Sequence, residues 1–140
     1  MRARKRFGQH FLSDEGVLQQ LTQAIALTPG QQVLEIGPGM GALTAYLIAA
    51  AETDYTAIEI DRDLVPLLQQ RFPSIRIINS DVLEVVLETV LTDSEQGWRV
   101  VGNLPYNISS PLILKYVLHS YSAPGRIRDM HFMLQKEMAD

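Results

Sequence analysis

The sequence predicts a doubly wound α/β fold built on a parallel sheet. Short runs rich in Val, Ile and Leu alternate with stretches of helical periodicity, and a glycine-rich turn at 37–41 follows the first of those runs. Strands that alternate with helices along a chain form parallel sheets, because each helix returns the chain across the sheet. No internal repeat or change of composition divides the 140 residues, so we expect one domain.

The composition is that of an ordinary globular protein, with 46% hydrophobic and 20% charged residues. The sequence has no cysteine, which excludes disulfides and thiolate metal ligands and is compatible with a reducing compartment. No apolar run reaches the roughly 18 residues of a membrane span, and charges rather than an apolar segment follow Met1. We therefore expect a cytoplasmic protein with no membrane association.

Basic residues are concentrated at the amino end, in residues 1–12. The net charge is −4, but Arg2, Arg4, Lys5 and Arg6 leave only 8 basic against 16 acidic residues in the remainder of the chain. Such an arm is either a solvated terminus or a contact for phosphate groups, and the sequence leaves both open. The aromatic residues Phe7 and Phe11 indicate that part of the arm packs on the body of the protein.

The boundaries of the elements follow from capping and turn residues. Ser13 can cap a helix that runs to Leu27, and Pro66 fits the first turn of a helix capped by Asp63. Ser110 and Pro111 resemble the cap and first residue of a helix that ends at Leu118. We further expect strands at 32–36, 55–61, 75–79, 99–102 and 130–134, and helical segments at 42–51 and 82–91.

The first three strands end in residues suited to an adenosine cofactor. Gly37 and Gly39 allow a tight turn and close approach of a ligand to the backbone, and Glu59 could accept both ribose hydroxyls. Asp81 could accept a hydrogen bond from an adenine amine, or simply cap the next helix. The spacing of the glycines and Ala42 also fits a dinucleotide site, so the loop alone does not separate NAD from other adenosine cofactors.

The fourth strand ends in a rim suited to a planar amine. The side chain of Asn103 and the carbonyl of Leu104 could accept both N–H groups of the amine, and Tyr106 could stack on the base. This would turn the nitrogen lone pair towards an electrophilic methyl group, with no metal and no general base. A hydride-transfer enzyme needs no amine acceptor, so the rim favours methyl transfer. The alternative is an ordinary strand-ending turn at the bond before Pro105.

Six ordered motifs resemble those of the ribosomal RNA adenine dimethyltransferases, and most of all their housekeeping small-subunit branch. The motifs are 4–12 (RKRFGQHFL), 35–39 (EIGPG), 59–61 (EID), 80–83 (SDVL), 103–111 (NLPYNISSP) and 131–137 (HFMLQKE). The resemblance implies a Rossmann-like class I methyltransferase fold that uses S-adenosylmethionine. It also implies, as substrate, two adjacent adenosines in the 3′-terminal hairpin of small-subunit ribosomal RNA, within an immature small ribosomal subunit.

The resemblance also implies the roles of individual residues. Glu59 would hold the ribose of the cofactor, Asp81 its adenine, and Tyr106 would stack on the target base. The cofactor-binding set would be His10, Leu12, Gly37, Gly39, Glu59, Asp81, Val82 and Asn103, and the catalytic set Asn103, Leu104, Pro105 and Tyr106.

The chain departs from the family pattern in three ways. Many members have Asn at the position of His10, where we expect a backbone contact, and often Gly at the position of Ser80. The resemblance also implies a protein that continues beyond the fifth strand, and residues 135–140 read as the start of another helix. We therefore expect 13–140 to be an incomplete catalytic domain without its helical RNA-binding domain and inactive by itself, and the full-length protein to be monomeric.

Three other functions compete with this interpretation. An erythromycin-resistance-type methylase would act on large-subunit RNA, but such enzymes usually have Ile at the position of Leu104. An RNA-binding assembly factor with a vestigial cofactor site is disfavoured because four residues are intact: Glu59, Asp81, Asn103 and Tyr106. An NAD-dependent oxidoreductase is disfavoured by the motif at the end of the fourth strand.

Overall fold

The computed structural model describes residues 14–134, apart from the side chain of Tyr106. The strands are β1 (Gln32–Ile36), β2 (Asp54–Glu59), β3 (Arg76–Asn79), β4 (Trp98–Leu104) and β5 (Ile127–Leu134). The helices are α1 (Glu15–Ile25), α2 (Ala42–Ala50), α3 (Val65–Arg71), α4 (Leu87–Val90) and α5 (Tyr106–Ser122), with a 3-10 helix at Val82–Glu84. The basic arm, Ser13 and residues 135–140 lie outside the described part.

The five strands form one parallel sheet in the order β3-β2-β1-β4-β5. From β1 the chain moves outward to β2 and β3, and then returns to the other side of β1 for β4 and β5. This order confirms the doubly wound α/β prediction. It also creates a switch point between β1 and β4, which is where open α/β sheets bind ligands.

Apolar side chains cover both faces of the sheet because successive residues of a strand point to opposite faces. Val33 and Ala57 belong to a cluster with α1, α2 and α3, whereas the next residues, Leu34 and Ile58, belong to a second cluster. The second cluster contains the 3-10 helix, α4 and α5, with Tyr116 fully buried. No helix in the described part of the chain is both long and apolar enough to cross a bilayer.

Helix α5 begins earlier than the sequence predicts. Its first residue is Tyr106 rather than Pro111, and Pro111 lies inside the helix. A proline there removes the N–H that would bond to the carbonyl of Asn107, but both residues are exposed, so water can hydrate that carbonyl. The prediction was wrong because a proline within a helix is tolerated where water can hydrate the carbonyl that it leaves unpaired. The helix consequently starts directly at the end of β4.

The helical pattern at 82–91 also divides differently from the prediction. It forms the 3-10 helix and the short α4, separated by extended backbone at Val85 and Val86. Asp81 caps the 3-10 helix by accepting a hydrogen bond from the Leu83 N–H at 3.0 Å. Apolar periodicity identified the buried residues but not the break between the two pieces, because Val82, Val85 and Leu87 are buried in either arrangement.

Two other helix ends differ in their capping residues. Asp14 caps α1, accepting from the N–H groups of Gly16 at 2.9 Å and Val17 at 3.3 Å. Leu64 rather than Asp63 precedes α3, although Pro66 does lie in its first turn, as predicted. Several residues close together can cap a helix, so the sequence indicates the turn more reliably than the residue.

The chain leaves α1 at Ala26, which has a φ of 53°, and Arg99 holds the end of the helix there rather than at Leu27. The buried guanidinium on β4 donates to the carbonyl of Ile25, to the Gln31 side chain at 2.9 Å and to the Asp129 carboxylate at 2.6 Å. The carbonyl at the end of α1 therefore finds its partner in the sheet rather than in another helical turn.

Strands β4 and β5 are longer than predicted. They pair from Trp98 opposite Ile127 to Leu104 opposite Leu134, through Gly102 and Asn103, which by local propensity end a strand. Pairing with β1 as far as Gly102, and with β5 as far as Leu104, overrides that propensity. In the described part of the chain β5 forms an edge of the sheet and is only partly buried, which makes it a site for further strand pairing.

A buried carboxyl group connects β1, β2 and α2. Oε1 of Glu35 lies 2.5 Å from the Thr44 hydroxyl and 2.8 Å from the Tyr55 hydroxyl, and Glu35 is only 2% exposed. Burial raises the pKa of Glu35 from 4.5 to about 7, although the hydroxyls of Thr44 and Tyr55 lower it, and the charge of Glu59 raises it further. The group is therefore harder to ionise in the fold than in the unfolded chain.

We expect Glu35 to make the protein less stable as pH rises. Between pH 4.5 and about 7 the folded state keeps a proton that the unfolded chain has released, so unfolding becomes easier. Over that window the loss should approach about 3 kcal/mol. Urea unfolding of the full-length natural protein at pH 5 and pH 8 should show this decrease, and Glu35→Gln should remove most of it.

The exposed Glu95 provides the control. Glu95→Gln should leave the pH profile of the unfolding free energy unchanged. Parallel profiles for the natural protein and Glu35→Gln would show that Glu35 ionises equally well in both states.

Candidate functional site

A cavity of about 550 Å³ lies at the carboxyl end of the sheet. Each of the four strands β1 to β4 contributes a residue at or just beyond its end, because parallel strands all finish at the same edge. These residues are Gly37, Glu59, Asp81 and Asn103. The cavity therefore begins at the switch point between β1 and β4 and extends across β2 to the end of β3.

The glycine loop is fixed by backbone contacts. The Gly37 N–H donates to the carbonyl of Ile58 at 2.8 Å, which draws the loop over β2. Gly41 has a φ of +88°, and a Cβ there would lie 2.7 Å from the ring of Phe72. Arg71 donates to the Met40 carbonyl at 2.8 Å, so α3 holds the end of the loop. Close packing of the loop against α3 requires a glycine at 41.

Glu59 is a buried carboxylate held by the backbone on both sides. Its Oε1 accepts from the Gly39 N–H at 2.9 Å and its Oε2 from the Asp61 N–H at 3.0 Å. A carboxylate oxygen can accept two hydrogen bonds, so each oxygen retains capacity for a ligand. Such a fixed pair of acceptors suits two neighbouring hydroxyl groups, as on a ribose.

Asp81 serves as a cap and also lines the cavity. Its Oδ1 accepts from the Leu83 N–H, and the residue is half-buried. The two interpretations of the sequence at this position are therefore compatible, since a carboxylate has more acceptor sites than one cap uses.

Asn103 carries a buried acceptor without a partner. Among the described residues, nothing donates a hydrogen bond to its Oδ1, although the atom is shielded from solvent. Leaving a buried polar atom unpaired costs about 1–3 kcal/mol, so proteins rarely retain one without a reason. The residue lines the cavity near the end of β4, where a ligand N–H could complete the bond.

The structure brings together most of the predicted site residues that it describes. Gly37, Gly39, Glu59, Asp81, Val82, Asn103 and Pro105 all line the cavity. The Leu104 side chain does not, because it is fully buried in the core, which confines any role in the site to its backbone. His10, Leu12 and the side chain of Tyr106 lie outside the described part of the chain.

Several lining residues were not predicted. Met40, Ile60 and Leu64 form an apolar wall, and Met40 and Ile60 are 53% and 66% exposed. The sequence did carry a signal for the first two, since each is a large apolar residue in a turn directly after a strand. Asn107 and Ile108 join the opposite rim because α5 begins at the strand end.

The residues that line the cavity fit an adenosine-containing cofactor such as S-adenosylmethionine. Glu59 offers acceptors for ribose hydroxyls, Asp81 for an amine, and the apolar wall offers contacts for a flat ring. Within residues 14–134, no group of three or more His, Asp or Glu side chains could hold a metal ion.

Comparison with known proteins gives consistent matches. A relative from Marinomonas sp. (strain MWYL1), named ribosomal RNA small subunit methyltransferase A, is 49% identical over 99% of this chain and 51% of its own length. One of the same name from Methylibium petroleiphilum is 46% identical, over 99% and 52%. The chain thus spans about half the length of these relatives.

Solved structures agree with this match. A dimethyladenosine transferase from Plasmodium falciparum superposes with a TM-score of 0.68 at 28% identity, over 89% of this chain and 42% of its own. The 23S rRNA methyltransferase ErmE superposes with a TM-score of 0.63 at 30% identity, over 80% and 43%. The model of the ribosomal RNA adenine dimethylase family matches residues 1–140, so this chain, with its strand-end cavity, belongs to that family.

Proposed function

We propose that this chain forms the cofactor-binding and methyl-transfer part of a ribosomal RNA adenine N6,N6-dimethyltransferase. The observation that carries the proposal is the buried Oδ1 of Asn103, an acceptor without a partner among the described residues, at one end of a cavity suited to an adenosine cofactor. An exocyclic amine supplies the N–H that this atom lacks. Membership of the family supports the same reaction.

The residues of the cavity divide the work between cofactor and substrate. Bound S-adenosylmethionine would supply an electrophilic methyl group. We assign its ribose to Glu59, its adenine to Asp81 and Val82, and its amino-acid part to the loop of Gly37 and Gly39. The backbone already holds the carboxylates of Glu59 and Asp81 in place without a ligand. Binding the cofactor therefore needs little reorganisation of the protein.

Asn103 would orient the target nitrogen. Its Oδ1 accepts one N–H of the adenine N6, and the Leu104 carbonyl accepts the other, which turns the nitrogen lone pair out of conjugation and towards the methyl group. Pro105 shapes this rim, and Tyr106 provides a face for the base. The methylated nitrogen is acidic enough to lose its proton to solvent, so the mechanism needs neither a general base nor a metal.

The names of the relatives favour small-subunit ribosomal RNA as the substrate. Curated relatives at 46–49% identity are named small subunit methyltransferases, whereas the 23S rRNA enzyme ErmE is 30% identical. We propose two adjacent adenosines of the 3′-terminal hairpin, in an immature small subunit, as the target. We further propose that the full-length protein acts in the cytoplasm and as a monomer.

The arm at 1–12 would complete the site. We propose that His10 and Leu12 contact the cofactor and that the basic residues meet RNA phosphates. Residues 13–140 would then be the first part of the catalytic domain. The relatives are about twice as long, which leaves room for the rest of the sheet and a helical RNA-binding domain.

Asn103→Ala should reduce kcat of the full-length natural protein by roughly 100- to 1000-fold, the usual effect of removing one group that holds the reacting atoms. Calorimetry should show a much smaller loss in affinity for S-adenosylhomocysteine, and RNA binding should survive. Tritiated methyl transfer to unmodified small subunits measures the rate. Ser110→Ala, an exposed change on α5, should behave as the natural protein. A near-normal rate for Asn103→Ala would refute the proposed amine-acceptor role.

The full-length natural protein should bind S-adenosylhomocysteine and not NADH, and should methylate small-subunit rather than large-subunit RNA. Calorimetry with the two cofactors and tritiated transfer to the two RNAs make the comparison. Preference for large-subunit RNA would identify the erythromycin-resistance-type activity instead. Cofactor binding without transfer to either RNA would favour the assembly-factor alternative.

A further inference from the structure

One lysine connects helix α5, which follows β4, to the segment that follows β3. The ends of these two strands both line the cavity, but the strands are not neighbours in the sheet. Lys115 lies in the middle of α5, and its Nζ donates to the carbonyls of Leu83 at 2.8 Å, Val85 at 2.6 Å and Val82 at 3.4 Å. An ammonium group has three N–H donors, so these contacts can use all of them.

The carbonyls that Lys115 contacts belong to a segment with little support of its own. The 3-10 helix Val82–Glu84 is too short to pair its own last carbonyls, and the backbone at Val85 is extended. A cation is favourable at such a carbonyl cluster. Asp81 and Val82, at the start of this segment, line the cavity where we assign the adenine of the cofactor.

Helix α5 connects Lys115 to the substrate rim. Helix α5 begins at Tyr106, directly after Asn103, Leu104 and Pro105. Partial burial lowers the pKa of Lys115, while the carboxylates of Asp81 and Glu88 raise it. The ammonium group therefore links α5, which begins at the rim, to the backbone that directly follows Asp81.

We propose that Lys115 is a positioning residue that fixes the adenine end of the cofactor cavity relative to the substrate rim. This inference rests on the proposed function. Lys115 does not line the cavity, and it acts through the carbonyls of the 82–85 backbone. Without the ammonium group, the three carbonyls would have to find water or other donors, and the segment would shift away from the position that holds adenine.

Lys115→Met tests the proposal in the full-length natural protein, because it retains the apolar stem and removes the donors. It should bind S-adenosylhomocysteine about tenfold more weakly, the loss expected when charge-assisted hydrogen bonds that hold a site are removed. The KM for S-adenosylmethionine should rise similarly, while kcat at saturating cofactor should change by less than about twofold. Lys115→Gln, which retains some donors, should lose about threefold.

A second ligand tests where Lys115 acts. 5′-Methylthioadenosine contains the adenosine but not the amino-acid part of the cofactor, so its affinity should fall by the same factor as that of S-adenosylhomocysteine. Leu118→Gln, an exposed change on the same helix, is the matched control and should leave both affinities and kcat unchanged. Thermal unfolding identifies which variants are folded, and Lys115→Gln decides the test if Lys115→Met does not fold.

Two results would overturn the inference while leaving the proposed function intact. In the first, the folded Lys115 variants bind both ligands as tightly as the natural protein does. In the second, only the affinity for S-adenosylhomocysteine falls, and that for 5′-methylthioadenosine is unchanged. Failure of the natural protein itself to bind S-adenosylhomocysteine would contradict the proposed function, and this inference with it.

Discussion

The close pairing of β1 with β4 is the contact on which the rest of the site depends. Gly102 lies opposite Ile36, and a Cβ at 102 would lie 2.9 Å from the Ile36 carbonyl oxygen. The two halves of the sheet meet at this pair, so the glycine loop after β1 and the Asn103 rim of β4 lie side by side. A wider spacing here would separate the cofactor residues from the substrate residues.

The site is held by groups that are themselves costly to bury. Glu35 is a buried carboxyl group between β1, β2 and α2, Glu59 is fixed by two backbone N–H groups, and the Oδ1 of Asn103 is unpaired among the described residues. Glu35 lowers the stability of the fold as pH rises, and the unpaired Oδ1 of Asn103 lowers the stability of the unliganded fold. A ligand that satisfies Asn103 recovers part of that cost on binding, which links affinity to stability.

Much of the fold could be predicted because its signals are local. The strand at 32–36, the α2 segment and the glycine turn follow from periodicity and glycine spacing, and the structure agrees with them. The errors occurred where distant contacts decide. Arg99 on β4 pairs the carbonyl at the end of α1, and β5, which continues beside β4 past the end of β1, carries β4 to Leu104. Pro111 is accepted inside α5 because the carbonyl that it leaves unpaired is exposed.

The sequence by itself determined the kind of chemistry: glycines for close approach, Glu59 and Asp81 as acceptors, and Asn103 at a strand end. Only the tertiary structure decided how these residues share one cavity, because their spacing depends on strand order and on the register of the sheet. It alone brought Leu64 to the apolar wall and Lys115 to the carbonyls of the 3-10 segment. No local pattern encodes such contacts, since they form between segments far apart in the chain.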